Sequence, residues 1–277
     1  MAPAVADRRI DGLVLRTLSA LVLAPLAAGA ILAGWPFYHA MVGIGCAILA
    51  WEWGRLCGGV FTETGWVLLG AVLAAVAAAS LGMELEAFGV AVVGAFAIYQ
   101  VALSHRRADA SWFALGVLYL AIPGITLIWL RTDFAPLVVL WLFLSVWASD
   151  VGAYAAGRLV GGPKLAPQLS PNKTWAGFFG GIAAAMAMGV LFFCFTGGST
   201  TLVRTAQWAG LSVLVAIVSQ GGDLTESAIK RHFKVKDTSG LIPGHGGLFD
   251  RVDGLLAAAP VVALIGFVSG GGVLAWR

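Results

Sequence analysis

Several apolar runs in this chain reach the roughly 20 residues that an α-helix needs to cross a hydrocarbon core about 30 Å thick. Of its 277 residues, 60% are hydrophobic and only 11% are charged, whereas a soluble domain carries about 25% charged residues. Backbone polar groups inside a bilayer must be hydrogen-bonded within the protein, which allows only helices or a closed barrel. The runs are unbroken rather than alternating with period two, and this favours helices. We therefore predict an all-α, polytopic integral membrane protein.

The apolar runs divide into nine candidate transmembrane helices. The first two form a tight pair hinged near Trp35-Pro36, and the first run is longer than the about 7–15 apolar residues of a cleaved signal peptide. An N-terminal region of about four spans (1–110) precedes a region (111–277) that carries two polar segments, 158–173 and 223–253. The predicted spans are 12–34, 35–52, 65–82, 86–103, 111–130, 134–157, 174–196, 206–222 and 254–276.

Basic residues are distributed unequally between the two sides that nine spans define. With the N-terminus in the cytoplasm, only Arg131, Arg204 and Arg277 of the 17 Lys and Arg residues fall on the outer side. This positive-inside bias predicts that both polar segments face the cytoplasm of a bacterial-type inner membrane. The formal net charge of +3 is too small to indicate nucleic-acid binding. The three cysteines show neither a disulfide framework nor a metal-binding spacing.

Polar side chains recur with helical spacing at the start of 223–253. If the eighth span continues as a helix, Asp223, Glu226, Ser227, Lys230 and Arg231 share one face. Such a face could bind a cation and phosphate, or it could be a solvated helix end with an i,i+4 pair. The pattern alone leaves both interpretations open.

A glycine-rich turn leads into the ninth span. Gly246 and Gly247 permit positive φ and a close approach of a ligand, and the free N–H groups of a helix start can bind an anion such as phosphate. Asp250 and Asp253 share a face there, although first-turn acids can simply complement the helix dipole. A lone residue such as His245 is more often structural than catalytic.

Two segments further upstream supply more candidates. Asp150 lies well inside its span, and an acid at membrane depth indicates a functional site by default; a structural tether to Arg158 is the alternative. Ser170 and Lys173, in a polar turn that opens the seventh span, could bind a phosphate. A Lys beside Trp175 is also an ordinary membrane anchor.

These motifs together resemble one family. Ser227-Ala-Ile-Lys-Arg231, Lys236-Asp237 and His245-Gly-Gly-Leu-Phe-Asp-Arg-Val-Asp253 look like the signature of the phosphatidate cytidylyltransferases, with every spacing kept over 27 positions. Segments 149–158 and 170–175 are also similar to that family, except that Ala176 stands where many relatives have an acid. The resemblance covers about the second half of the chain, and the first half is similar only in being hydrophobic.

The resemblance implies a membrane enzyme that joins CTP to phosphatidic acid and releases pyrophosphate, with Mg²⁺ as cofactor and room for a second cation. It implies Asp223 and Asp250 as Mg²⁺ ligands, with Asp253 and Asp150 as weaker candidates, and it gives Glu226 no ligand role. Membrane lipids are expected partners, and a homodimer is compatible with the family. The residues expected to contact or shape the substrates are Asp150, Ser170, Lys173, Ser227, Lys230, Arg231, Lys236, His245, Gly246, Gly247 and Arg251.

Two other functions fit parts of the sequence. A CTP-dependent lipid kinase would use similar metal and phosphate contacts but would transfer the γ-phosphoryl group. A multispan transporter would fit the composition, but it would place charged residues along a path through the bilayer. Here the charged residues cluster toward one predicted face.

Overall fold

The computed structural model describes residues 22–196, 201–241, 246–272 and 274. Helices α2–α9 are long and apolar enough to cross a membrane, and α1 is a shorter apolar helix. This confirms the predicted all-α polytopic fold. The described elements are α1 (Val22–Ala33), α2 (Phe37–Gly58), α3 (Glu63–Ser80), α4 (Glu84–Ser104), α5 (Ala110–Asp133), α6 (Pro136–Leu159), β1 (Lys164–Ala166), β2 (Ser170–Thr174), α7 (Trp175–Phe195), α8 (Leu202–His232) and α9 (Phe249–Val268).

The observed elements depart from the predicted spans in α2, α8, α9 and the segment before α7. Helix α2 continues to Gly58 rather than ending at 52. Helix α8 continues to His232 rather than ending at 222, so the polar face from Asp223 onward is helical. Helix α9 begins earlier than predicted and ends at Val268 rather than 276, because the glycines that follow adopt positive φ and stop the helix. The polar turn before α7 is a two-stranded antiparallel hairpin. Of the first predicted span, residues 12–21 lie outside the described residues.

Helix α5 lies at the centre of the bundle, where it contacts α2, α3, α4, α6 and α9. Hydrogen bonds tie α2 to it, among them one near each end of α2. The buried Tyr38 hydroxyl donates to the Leu127 carbonyl (3.0 Å), and Trp53 Nε1 donates to the Trp112 carbonyl (2.9 Å). Buried polar groups need such partners, and these two fix α2 against the centre of the protein.

The C-terminal end of α1 is held by a single basic residue. Arg131, in the last turn of α5, donates from Nε to the Ile31 carbonyl (2.6 Å) and from Nη2 to the Leu32 carbonyl (3.3 Å). The last carbonyls of a helix lack partners within the helix and carry partial negative charge, so a guanidinium satisfies both needs. This contact joins α1 to the rest of the bundle.

Helices α6 and α7 approach each other closely along a row of small residues. A Cβ added at Gly152 would lie 2.7 Å from the Gly180 carbonyl oxygen, and one added at Gly180 would overlap with the Ala156 side chain. Small residues at contacts of this kind are the usual means of packing helices in lipid. The close approach brings Asp150 of α6 and Lys173 of β2 to the same cavity.

Candidate functional site

A cavity of about 1980 Å³ is lined by α1, α2, α6, α8, α9 and the hairpin. Along α6 the lining changes from apolar to charged: Phe143 and Trp147 are followed by Asp150 and Arg158. Fifteen residues separate the first and last of these, which is about 22 Å of helix. Side chains of α1 and α2 add further apolar surface, including Leu23 and Ile44. One space therefore combines an apolar wall with a charged end.

The charged end gathers residues from α6, β2, α8, α9 and the segment between α8 and α9. It holds both signs of charge, and seven of the site residues predicted from the sequence are among its members. The acidic and basic side chains at this end are Asp150, Arg158, Lys173, Asp223, Glu226, Lys230, Asp237, Asp250, Arg251 and Asp253.

Lys230 joins two acids on different helices. Its Nζ lies 2.8 Å from Oε1 of Glu226, one turn earlier on α8, and 2.7 Å from Oδ1 of Asp250 on α9. Glu226 is only 2% exposed. A carboxylate removed from water is costly unless a charge or several donors compensate it. The ammonium therefore stabilises both acids and holds the two helices together.

Asp250 uses its second carboxylate oxygen to hold the turn before α9. Its Oδ2 accepts hydrogen bonds from the backbone N–H of Gly247 (2.8 Å), the backbone N–H of Thr238 (3.3 Å) and the Thr238 hydroxyl (3.1 Å). Its Oδ1 accepts from Lys230. Both oxygens of this predicted metal ligand thus contact protein groups.

The structure adds Glu52, which the sequence interpretation missed. This acid of α2 is fully buried and accepts hydrogen bonds from the Ser239 hydroxyl, the Leu248 N–H (2.9 Å) and the Phe249 N–H (2.8 Å). The expectation of free N–H groups at the start of α9 is therefore wrong for these two residues, because a carboxylate already occupies them. The predicted second span ends at Glu52, whereas α2 continues to Gly58 and places this acid within the helix, where the membrane-depth argument used for Asp150 applies to it as well.

Three acids form a group that could hold a cation. Carboxylate oxygens of Asp223, Glu226 and Asp253 all lie within 4.8 Å of one another. Mg²⁺–oxygen distances of about 2.1 Å place opposite ligands of one ion about 4.2 Å apart, which is close to this spread. The residues present therefore fit a hard divalent cation. Lys173 lies at the edge of the group, with Nζ 2.5 Å from Oδ2 of Asp223.

Other predicted site residues lie away from the cavity lining. Arg231 and Lys236 are exposed, and four more predicted residues do not line the cavity; their proposed roles remain predictions. Arg158 donates to the Tyr154 hydroxyl (3.4 Å), and no described ion pair joins it to Asp150. His245 lies outside the described residues. The four predicted residues that do not line the cavity are Ser170, Ser227, Gly246 and Gly247. Of these, Gly246 has the positive φ (80°) expected of it.

Comparisons with known proteins identify the family that this chain resembles. The sequence profile of the cytidylyltransferase family matches residues 14–269. A phosphatidate cytidylyltransferase from Pseudomonas aeruginosa is 35% identical over 272 residues, which cover 93% of this chain and 98% of that protein. One from Brucella suis is 44% identical over 170 residues, covering 60% of this chain and 61% of the relative, and one from Haemophilus influenzae is 48% identical over 126 residues, covering 44% and 43%.

The role of Lys230 can be tested by removing its charge. We expect Lys230→Met to destabilise the protein by about 3–5 kcal/mol, because two buried carboxylates lose their shared cation. For a chain of this size that corresponds to a melting temperature lower by roughly 10 °C, measured by thermal unfolding in detergent. The exposed Lys236 offers a matched control, and Lys236→Met should stay within about 0.5 kcal/mol of the wild type. Equal melting temperatures for the two variants would contradict the bridging role.

Proposed function

Because the chain belongs to the cytidylyltransferase family, we propose that it transfers a cytidylyl group from CTP to phosphatidic acid, giving CDP-diacylglycerol and pyrophosphate. The observation that carries this proposal is the single cavity with an apolar wall and a charged end of mixed sign. A phospholipid substrate needs apolar surface for its acyl chains and positive charge for its phosphate. A nucleoside triphosphate needs positive charge and a cation beside it.

The main obstacle to this reaction is repulsion between two anionic phosphates. A phosphate monoester with a second pKa of about 6 is largely dianionic at neutral pH, so its oxygen can attack the α-phosphorus of CTP without a dedicated base. The protein must neutralise charge and align the in-line displacement. Lys173, Lys230 and Arg251 line the cavity, and we assign them to the phosphate oxygens.

We assign the divalent cation, which we take to be Mg²⁺, to Asp223 and Asp253 with Glu226 beside them. Protein sites usually bind Mg²⁺ through one or two carboxylates together with substrate phosphates. When bound, such an ion supplies charge neutralisation at the phosphates of the nucleotide. For Asp250, which the family resemblance implies as a ligand, we propose a different role: it orients Lys230 and the turn before α9, because its two oxygens contact those groups.

The charge distribution argues against transport as the function. A transporter would place charged residues along a path through the bilayer, whereas charged lining along α6 begins at Asp150, after Phe143 and Trp147. A lipid kinase would use the same charged end, and only its products distinguish it. We further propose that the charged end faces the cytoplasm, where CTP is available, in agreement with the positive-inside bias.

The products of the reaction test the proposed activity directly. Purified protein supplied with CTP, phosphatidic acid and Mg²⁺ should form CDP-diacylglycerol and pyrophosphate in equal amounts, measured by lipid chromatography and a pyrophosphate assay. Omission of either substrate should abolish both products. Release of CDP together with a newly phosphorylated lipid would instead identify a lipid kinase.

The cation assignment predicts different effects for different acids. Asp223→Asn and Asp253→Asn should lower kcat/KM by about 100-fold or more, since groups that act only in the transition state commonly carry effects of this size. Both should also raise the Mg²⁺ concentration needed for half-maximal rate. Asp250→Asn should lose activity with a nearly unchanged Mg²⁺ requirement.

Initial rates across a Mg²⁺ titration measure these effects, with Mn²⁺ binding followed by electron paramagnetic resonance as a second readout. Glu226 is not a suitable neutral control, because its carboxylate belongs to the group. The exposed Glu63, in the first turn of α3, replaces it, and Glu63→Gln should behave as the wild type. If Asp250→Asn raised the Mg²⁺ requirement as much as Asp223→Asn and Asp253→Asn do, Asp250 would be a cation ligand after all.

The proposed orientation can be tested by cysteine labelling in intact cells. In a variant without Cys46, Cys57 and Cys194, a cysteine at the exposed position of Lys236 should resist an impermeant thiol reagent until the membrane is opened. A cysteine at Ser199, between α7 and α8, should react at once. Thr238 is a poorer site for the label, because its side chain binds Asp250. Immediate labelling at 236 would overturn the orientation.

A further inference from the structure

We propose that Glu52 is a positioning residue for this reaction, which fixes the start of α9 so that Asp250 and Asp253 face the cavity. The inference rests on the proposed function for its activity readout, and it concerns a part of the chain that carries none of the family motifs. Glu52 lies on α2, almost 200 residues before the groups that it contacts.

Glu52 contacts two parts of the segment that connects α8 to α9: a first arm, which includes Ser239, and a second arm, which includes Leu248. Its Oε1 accepts from the Ser239 hydroxyl on the first arm and from the Leu248 N–H on the second, and its Oε2 accepts from the Phe249 N–H. A fully buried carboxylate needs several strong donors, and here those donors are the turn itself. The negative charge also lies at the N-terminal end of a 20-residue helix, where the helix dipole favours it.

Asp250 also accepts hydrogen bonds from both arms of this segment. It accepts from Thr238 on the first arm and from Gly247 on the second, so two carboxylates hold both arms together. Gly247 lies between them, and a Cβ added there would overlap with the Thr238 hydroxyl and the Glu52 carboxylate. The close approach explains why a glycine is required at this position, and it leaves the start of α9 little freedom while Glu52 is present.

Glu52 does not line the cavity, within the part of the chain that the structure describes, although its partner Leu248 does. It therefore acts through the turn rather than on a substrate. The start of α9 has a second anchor, since the Phe249 ring packs against Trp53 (5.7 Å between centroids) and Tyr119 (5.8 Å). Loss of Glu52 should therefore loosen the first turn of α9 without unfolding the helix.

Two substitutions of Glu52 test this inference, and Tyr38→Phe is the matched control. We expect Glu52→Gln and Glu52→Ala to lower kcat by about 10- to 100-fold, the loss that follows removal of a residue orienting a functional group. The KM for phosphatidic acid should stay within about 3-fold, because the apolar wall is unchanged. Tyr38→Phe also removes a buried hydrogen bond between α2 and α5, at the far end of α2, and should keep wild-type kcat.

Hydrogen exchange gives a readout that does not depend on activity. In both Glu52 variants the amides of Leu248 and Phe249 should exchange faster, whereas in Tyr38→Phe they should stay protected. A wild-type protein that makes no CDP-diacylglycerol would refute the proposed function, and the exchange data would still test the positioning. Wild-type kcat with protected amides in the Glu52 variants would overturn the inference, as would an equal loss of kcat in Tyr38→Phe.

A milder variant keeps the test decisive if the Glu52 variants do not fold. Ser239→Ala removes one of the three hydrogen bonds and leaves the buried carboxylate two backbone donors. We expect a folded protein by size-exclusion chromatography, with kcat lower by about 3- to 10-fold and the KM for phosphatidic acid unchanged. An unchanged kcat in this variant would overturn the inference.

Discussion

The contact on which the charged end depends is the bridge that Lys230 forms between Glu226 and Asp250. Two acids and one base lie where water is scarce, and each would be costly there without the others. The bridge pairs α8 with α9, and the second oxygen of Asp250 extends it to Thr238 and Gly247. The bridge therefore links the pairing of α8 and α9 to the contacts that Asp250 makes with Thr238 and Gly247.

The helices could be predicted because length and apolar composition are local properties, but the end of α8 could not. Gly221-Gly222 followed by Asp223 has the character of a helix boundary. In the structure the helix continues, and a Cβ at Gly222 would lie 2.6 Å from the Asp253 carbonyl oxygen. The glycine allows α9 to approach α8 closely and does not stop the helix, a distinction that depends on a neighbour about 30 residues away along the chain.

The charged residues of the site could also be found from motifs, whereas their pairings could not. Helical spacing predicts which residues share a face, but it does not say that Asp250 contacts Lys230 and a turn while Asp253 joins Asp223 and Glu226. Glu52 shows the limit most clearly. Its sequence position marks it as unusual, yet its partners follow only from the packing of α2 against the start of α9.

The ion pairs of the free protein also bear on how the two charged ligands enter the cavity. Lys173 contacts Asp223, so a cation held by Asp223 would compete with the lysine, and a phosphate held by Lys173 would compete with the acid. Both side chains are partly exposed (23% and 37%), so a charge left alone there keeps some solvation but loses the attraction of its partner. A bound cation therefore frees Lys173 for the phosphate, and a bound phosphate frees Asp223 for the cation. By linkage, each ligand should strengthen the binding of the other to the same extent. A cluster of mixed sign, in which Lys173 is paired with Asp223, is thus suited to accept a cation and a phosphate together.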